Sequence, residues 1–132
     1  IGSHYTYTET PIGEYLKEIF GFERNNYDRI VHFSFGLLFA FPIREVFLRA
    51  TKIKGFWSYF LPLTITASFS ASYEVIEWIT VATEPQTNIS FLGMQGDVFD
   101  APKDMGLAIL GAMITMLITV LANIKSRKLK LT

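Results

Sequence analysis

Hydrophobic residues in this chain come in long blocks separated by short charged connections. Positions 30–48, IVHFSFGLLFAFPIREVFL, form the first block, interrupted near its end by Pro42 and the Arg44–Glu45 pair. Positions 56–83 form the second, broken by Pro62 near its start and by Glu74 and Glu77 further on. Positions 105–124 form the third, which carries no charge. Each approaches the ~20 apolar residues needed to cross a bilayer core. Upstream, over 11–22, Ile12, Tyr15, Leu16, Ile19 and Phe20 recur at helical spacing against Glu14, Lys17 and Glu18. That arrangement predicts a short amphipathic helix lying on the membrane rather than crossing it. The expected fold is an all-α, multi-pass transmembrane helical bundle: one domain over 1–132, with three spans and an N-terminal interfacial helix.

Composition agrees with that pattern. Half of the 132 residues are hydrophobic, only 18% are charged, and mean hydropathy is +0.30, high values for a soluble domain of this size. The formal net charge is zero, so no global field points to nucleic acid. The absence of cysteine excludes disulfides and thiolate metal sites. Two glycines in LGMQGD, with no lysine and no strand before them, do not make a nucleotide site. The chain opens on Ile and has no signal-peptide layout, so it reads as a fragment or a trimmed product.

The charges that remain are unevenly placed. Arg49, Lys52 and Lys54 follow the first block, and Lys125, Arg127, Lys128 and Lys130 follow the third, with no acid among either set. The connection between the second and third blocks is acidic, with Glu84, Asp97, Asp100 and Asp104 against Lys103. Basic loops stay in the cytoplasm, so the C-terminus is expected there. The N-terminal segment and the acidic 84–104 loop are then extracytoplasmic.

With that topology the isolated polar residues converge. Asp28, Arg29 and His32 open the first span, and Glu74 and Glu77 lie within roughly 14 Å of the same surface at 1.5 Å per residue. Asp97, Asp100 and Asp104 precede the third span. Asp28 and His32 are i, i+4, and Glu74 and Glu77 are i, i+3, so each pair shares a helix face. Small residues at Gly36, Ala40, Ala67, Ser70, Ala71, Gly106, Gly111 and Ala112 allow the helices to approach closely. Six carboxylates cannot all ionise together at low dielectric, so some hold protons or a cation sits among them. Oxygen ligands with one imidazole suit Mg²⁺, Mn²⁺ or Ca²⁺.

Structural roles are open to several of these residues. Asp100 can cap the third helix, with Pro102 in its first turn, and Asp104 can complement its dipole. Asp97 suits a turn after Gly96, Asp28 and Arg29 can pair at the interface, and His32 can bond a neighbouring helix. Arg44–Glu45 reads as an interfacial anchor. Two intramembrane acids at 74 and 77 are the hardest to explain as structure alone.

The segments GSHYTYTETPIG, RNNYDRIVHFSFG, SASYEVIEW and FLGMQGDVFDAPKDMGLAILGA resemble, in order, the motifs of the YjdF-like inner-membrane proteins, a family of unknown function. The resemblance covers positions 2–112 and implies that GSH is native sequence, that the chain is the C-terminal portion of a longer protein with further spans upstream, and that it sits in a bacterial inner membrane. Met94, Phe99 and APKD depart from the family's Thr, Trp and TQWD. A remoter likeness to VanZ-like membrane proteins rests on Asp28, His32, Glu74, Asp97 and Asp100.

Three functions follow from the residues. The first is a divalent-cation-dependent enzyme acting on a lipid-linked or cell-envelope substrate. Glu74, Glu77, Asp97, Asp100 and Asp104 would hold the metal, His32 oriented by Asp28 would be the acid or base, and Arg29 would neutralise a phosphate. The second is a transporter whose acids carry protons or cations. The third is a non-catalytic membrane partner protein.

Overall fold

A computed structural model describes residues 9–83 and 97–129. Within them the chain forms four helices and no strand: α1 (Pro11–Phe20), α2 (Tyr27–Ala50), α3 (Trp57–Thr83) and α4 (Asp100–Leu129). Glu84 of the acidic connection, the GSH segment and Lys130 lie outside the described residues.

Each boundary has a local cause. α1 starts on Pro11, whose missing N–H costs nothing in a first turn, and stops at Gly21, which takes φ 64°. Asn25 is almost fully buried and ties α1 to the start of α2. Its Nδ2 donates to the Thr10 carbonyl at 3.3 Å and to Glu14 at 3.1 Å, while its Oδ1 accepts from the Tyr27 N–H at 3.0 Å. At the far end of α2, Thr51 turns to an extended backbone, and its hydroxyl donates to the Phe47 carbonyl at 2.7 Å.

The three long helices bury the same kind of stripe. On α2 it is Asp28, His32, Gly36, Ala40 and Arg44. On α3 it is Ser58, Pro62, Thr66, Ser70, Glu74 and Glu77, and on α4 Asp100, Asp104, Ala108, Ala112 and Met116. Nearly every step is four residues, so each stripe is an i±4 ridge, the kind that packs into the matching groove of a neighbour. The large apolar residues point the other way. Leu38, Phe39, Phe69, Ile76, Leu117 and Leu121 are each half or more exposed, whereas Ala40, Ala108, Ala112 and Met116 are the buried hydrophobics among the described residues. This inversion of the usual soluble pattern fits hydrocarbon as the surrounding solvent.

Packing is closest between α2 and α4. A Cβ at Gly36 would overlap the Ala108 carbonyl, and one at Gly111 would overlap the Phe33 carbonyl, so both glycines are required by backbone-to-backbone contact. The Thr115 hydroxyl donates across this seam to the Leu37 carbonyl. Gly106, expected among the contact positions, faces open space instead. Below the seam, Ala40, Ala112 and Met116 form a small core, with Tyr59 and Leu63 packed on it.

Among the described residues, two helices are long and apolar enough to cross a membrane: Tyr27–Ala50 and the Asp100–Ser126 part of α4. Both exceed the blocks predicted at 30–48 and 105–124, because the polar residues at their starts are helical too. Asp100 and Asp104 therefore lie inside α4 rather than ahead of it. The α3 segment falls short of the same mark. Its serines and threonines, together with Glu74 and Glu77, dilute the apolar run.

Candidate functional site

Polar residues from every long helix meet at one end of the bundle. The first two turns of α2 contribute Asp28, Arg29 and His32, and the C-terminal half of α3 contributes Ser70, Glu74 and Glu77. The turn before α4 and its first turns supply Asp97, Asp100, Lys103 and Asp104. The ridge spacing makes this convergence unavoidable: Asp28 and His32 stand on one row, Asp100 and Asp104 on another, and both rows lead down to the close contact of Gly36 with Ala108.

The outer part of the cluster is neutralised by cations. Arg24, just before α2, donates to Asp28 at 2.6 Å and to Asp100 at 2.7 Å, bridging two helices. Arg29 donates to Asp97 at 2.8 Å and lies 3.5 Å from Asp100. Lys103 completes the set by pairing with Asp97. Burial by itself would lower the Arg24 guanidinium. The hydrogen bond to Asp100 and the charges of Asp28, Asp100 and Asp104 outweigh it and hold Arg24 above its ordinary value. Asp97 is held below the usual aspartate range, first by the hydrogen bond from Lys103 and then by the Phe99 N–H, which donates to it at 3.0 Å.

The inner part is different. His32 Nδ1 lies 3.0 Å from the Ser70 hydroxyl and Nε2 lies 3.1 Å from Glu74 Oε1, while the Tyr73 ring stands edge-on to the imidazole. Glu74, Glu77 and Asp104 are all more than nine-tenths buried; Glu77 Oε1 and Asp104 Oδ1 have no hydrogen-bond partner, and Glu74 Oε1 faces the imidazole Nε2. Among the described residues no arginine or lysine pairs with any of them. Single ligand atoms from His32, Glu74 and Asp104 lie within 4.8 Å of one another, and the same holds for Asp28, Asp100 and Asp104. A cleft of about 550 Å³, lined by Glu74, Glu77, Trp78, Asp97, Asp100 and Met105, opens onto these acids.

The structure thus brings all eight predicted site residues to one end but divides them. Asp97 and Asp100 are bound to arginines, and Glu77 lies beside the cleft outside both groups with metal-like spacing. Asp28, expected to orient His32, is held by Arg24 and by the Arg29 N–H at 2.8 Å. Ser70 and Glu74 are the groups that flank the imidazole. Arg29, expected to face a phosphate, is committed to Asp97 and Asp100. Asp100 does not cap α4 through its side chain, since its carboxylate goes to Arg24. Asp97 does make the expected turn bond. Sequence reasoning missed Arg24 entirely, although it stands i, i+4 from Asp28, the same spacing that singles out His32.

This geometry can be set beside known proteins. Residues 1–125 match the family described as "Predicted membrane protein (DUF2238)". The chain belongs to this family. It is also 37% identical over 131 residues to "Inner membrane protein YjdF" of Escherichia coli (strain K12), a match covering 98% of this chain and 62% of that protein. The chain therefore spans less than two thirds of that relative's length. No solved structure matches. The remoter likeness to VanZ-like proteins draws no support from these matches.

Proposed function

We propose that the chain is an integral inner-membrane protein in which α2, α3 and α4 all span the bilayer and hold a divalent cation between His32, Glu74 and Asp104. One observation carries the site: three basic side chains satisfy Asp28, Asp97 and Asp100, which leaves Glu77 and Asp104 with unmatched buried oxygens and Glu74 with the His32 imidazole as its neighbour. A carboxylate-rich set with one imidazole suits Mg²⁺, Mn²⁺ or Ca²⁺. Such a cation would polarise an oxygen of a lipid-linked or cell-envelope substrate entering by the cleft. His32 would be kept in place by Ser70, and Arg24 and Arg29 would hold Asp28, Asp97 and Asp100 away from the site.

Features of α3 support its place in the membrane. Its outward hydroxyls are satisfied within the helix, Ser68 donating to the Thr64 carbonyl and Ser72 to the Ser68 carbonyl, each at 2.8 Å, and Thr80 to that of Ile76 at 2.7 Å. Back-bonded hydroxyls present little unmet polarity to lipid. Ile12, Tyr15, Ile19 and Phe20 of α1 are exposed, which fits a helix resting on the surface. The basic connections support an extracytoplasmic site.

The test is metal content and divalent-ion stabilisation of purified protein. Wild type should hold about one equivalent, as one such site requires, and Glu74→Gln should lose it while still folding. Equal metal in both proteins would exclude Glu74 as a ligand and defeat the assignment. A second reading, proton or cation carriage, draws on Thr66, which is fully buried below Ser70 with its hydroxyl unpartnered. The core of Ala40, Ala112 and Met116 closes the bundle beneath it, which favours a one-sided site.

A further inference from the structure

The opposite end of the bundle holds a second polar cavity. It measures about 530 Å³ and is lined by Arg44, Lys54, Ser58, Tyr59, Asn123 and Ser126, among others. Its wall is more polar than that of the cleft at the acidic end. Arg44 occupies the last position of the buried α2 ridge, so its guanidinium is drawn in between helices rather than outward along the surface, as an interfacial anchor would be. Its guanidinium carbon lies over the Tyr59 ring, 4.6 Å from the centroid, and Asn123 donates to the Tyr59 hydroxyl at 3.0 Å. The ring and its support thus help to hold the guanidinium between the helices.

The donors here outnumber the acceptors. Glu45 takes one Arg44 nitrogen, Nη1, at 3.0 Å. Arg44 Nε is buried and has no partner, which is costly unless something completes it. Lys54 lines the same cavity, Arg49 and Lys52 stand in the adjoining connection, and Lys125 lies in the last turns of α4. Glu45 is the one acid among the described residues of this end.

We propose that this cavity binds a phosphate-bearing anion, held by Arg44 and Lys54 with Asn123 and Ser126 at its rim. Arginine offers planar, paired donors that match phosphate oxygens, and lysine adds a point charge. Basic pockets between helix ends are where anionic lipid headgroups are held, so the phosphate comes from a phospholipid or from free phosphate. The inference is independent of the cation site, which lies at the other end of the same helices.

The full chain, purified in detergent and in phosphatidylcholine nanodiscs, would be titrated with phosphatidylglycerol of matched acyl chains and, separately, with inorganic phosphate. Retained lipid is read by native mass spectrometry and binding by thermal shift. Wild type should retain phosphatidylglycerol over phosphatidylcholine, and Lys54→Ala should weaken this about five-fold, the equivalent of about 1 kcal/mol per basic side chain at an anionic surface. Stabilisation by inorganic phosphate alone, lost in Lys54→Ala, would identify free phosphate as the ligand and also support the site. Arg44→Gln should remove the preference altogether; if it fails to fold, Lys54→Ala decides. Equal retention of the two lipids with no response to phosphate overturns the proposal. So does an equal loss in Lys52→Ala, because that would reflect general surface charge and not this cavity.

Discussion

Replacing Arg24 by Gln should destabilise the protein more than any other single change in the charged ring. Arg24 bridges Asp28 at 2.6 Å and Asp100 at 2.7 Å, and those two carboxylates belong to different helices. The side chain of Asp28 is 4% exposed and that of Asp100 is 11% exposed, so water cannot take over the lost bonds. Removing one partner of a buried pair costs ~3–5 kcal/mol. Arg24 itself keeps 16% exposure, which sets the expected loss at the lower end, about 3 kcal/mol. That is more than about 100-fold in the ratio of folded to unfolded protein. The assay is denaturant unfolding in a fixed detergent, followed by helical circular dichroism. A compensated protein, Arg24→Gln with Asp28→Asn and Asp100→Asn, should regain most of the loss, because no buried charge is then left unpaired. A single variant within about 0.5 kcal/mol of wild type, as for an exposed pair, would refute the reasoning. So would a compensated protein no better than the single variant.

Packing and pH offer further tests. Gly36→Ala would put a Cβ 2.8 Å from the Ala108 carbonyl carbon and 2.9 Å from the Ala112 nitrogen, forcing α2 and α4 apart at a cost of ~1–3 kcal/mol. Since His32 and Asp104 each sit one turn away, the same variant should also blunt divalent-ion stabilisation; Gly106→Ala, with open space at its Cβ, is the neutral control. Equal unfolding midpoints for the two alanine variants would contradict the close contact. Asp97 is held below its ordinary value chiefly by Lys103, so its contribution is present in full above the unfolded aspartate value of about 3.9 and is lost as pH falls through the lower folded value. The stability difference between wild type and Lys103→Ala should therefore shrink on acidification, and a difference that grew would contradict the pairing.

The physics of hydrocarbon solvation explains why some of this was legible from the sequence. Long apolar blocks at 30–48 and 105–124 announce helices regardless of their neighbours, because backbone groups in lipid must be satisfied within the segment. The amphipathic run at 11–22 is a helix for the local reasons of Pro11 and Gly21. The i, i+4 and i, i+3 spacings of Asp28, His32, Glu74 and Glu77 placed them on shared faces, and these residues do converge. The block at 56–83 is helical almost to its expected bounds, as α3, but serines that bond their own helix keep its hydropathy below that of the other two.

Tertiary structure alone decided who pairs with whom. Spacing puts Asp28 beside His32 on one ridge, yet side chains that share a ridge need not touch. Arg24 reaches Asp28 from the turn before the helix, and Ser70 and Glu74 reach His32 from across the bundle. Arg44 looked like a surface anchor because sequence shows only nearness to the end of a span. Its place on the α2 ridge, above Tyr59, turns it inward. Residue types and periodicity fix which faces must be buried, since that depends on the chain's own helical repeat. The division of six carboxylates into a neutralised ring and an unmatched inner set depends on angstrom-scale distances between helices, which no spacing along one helix contains.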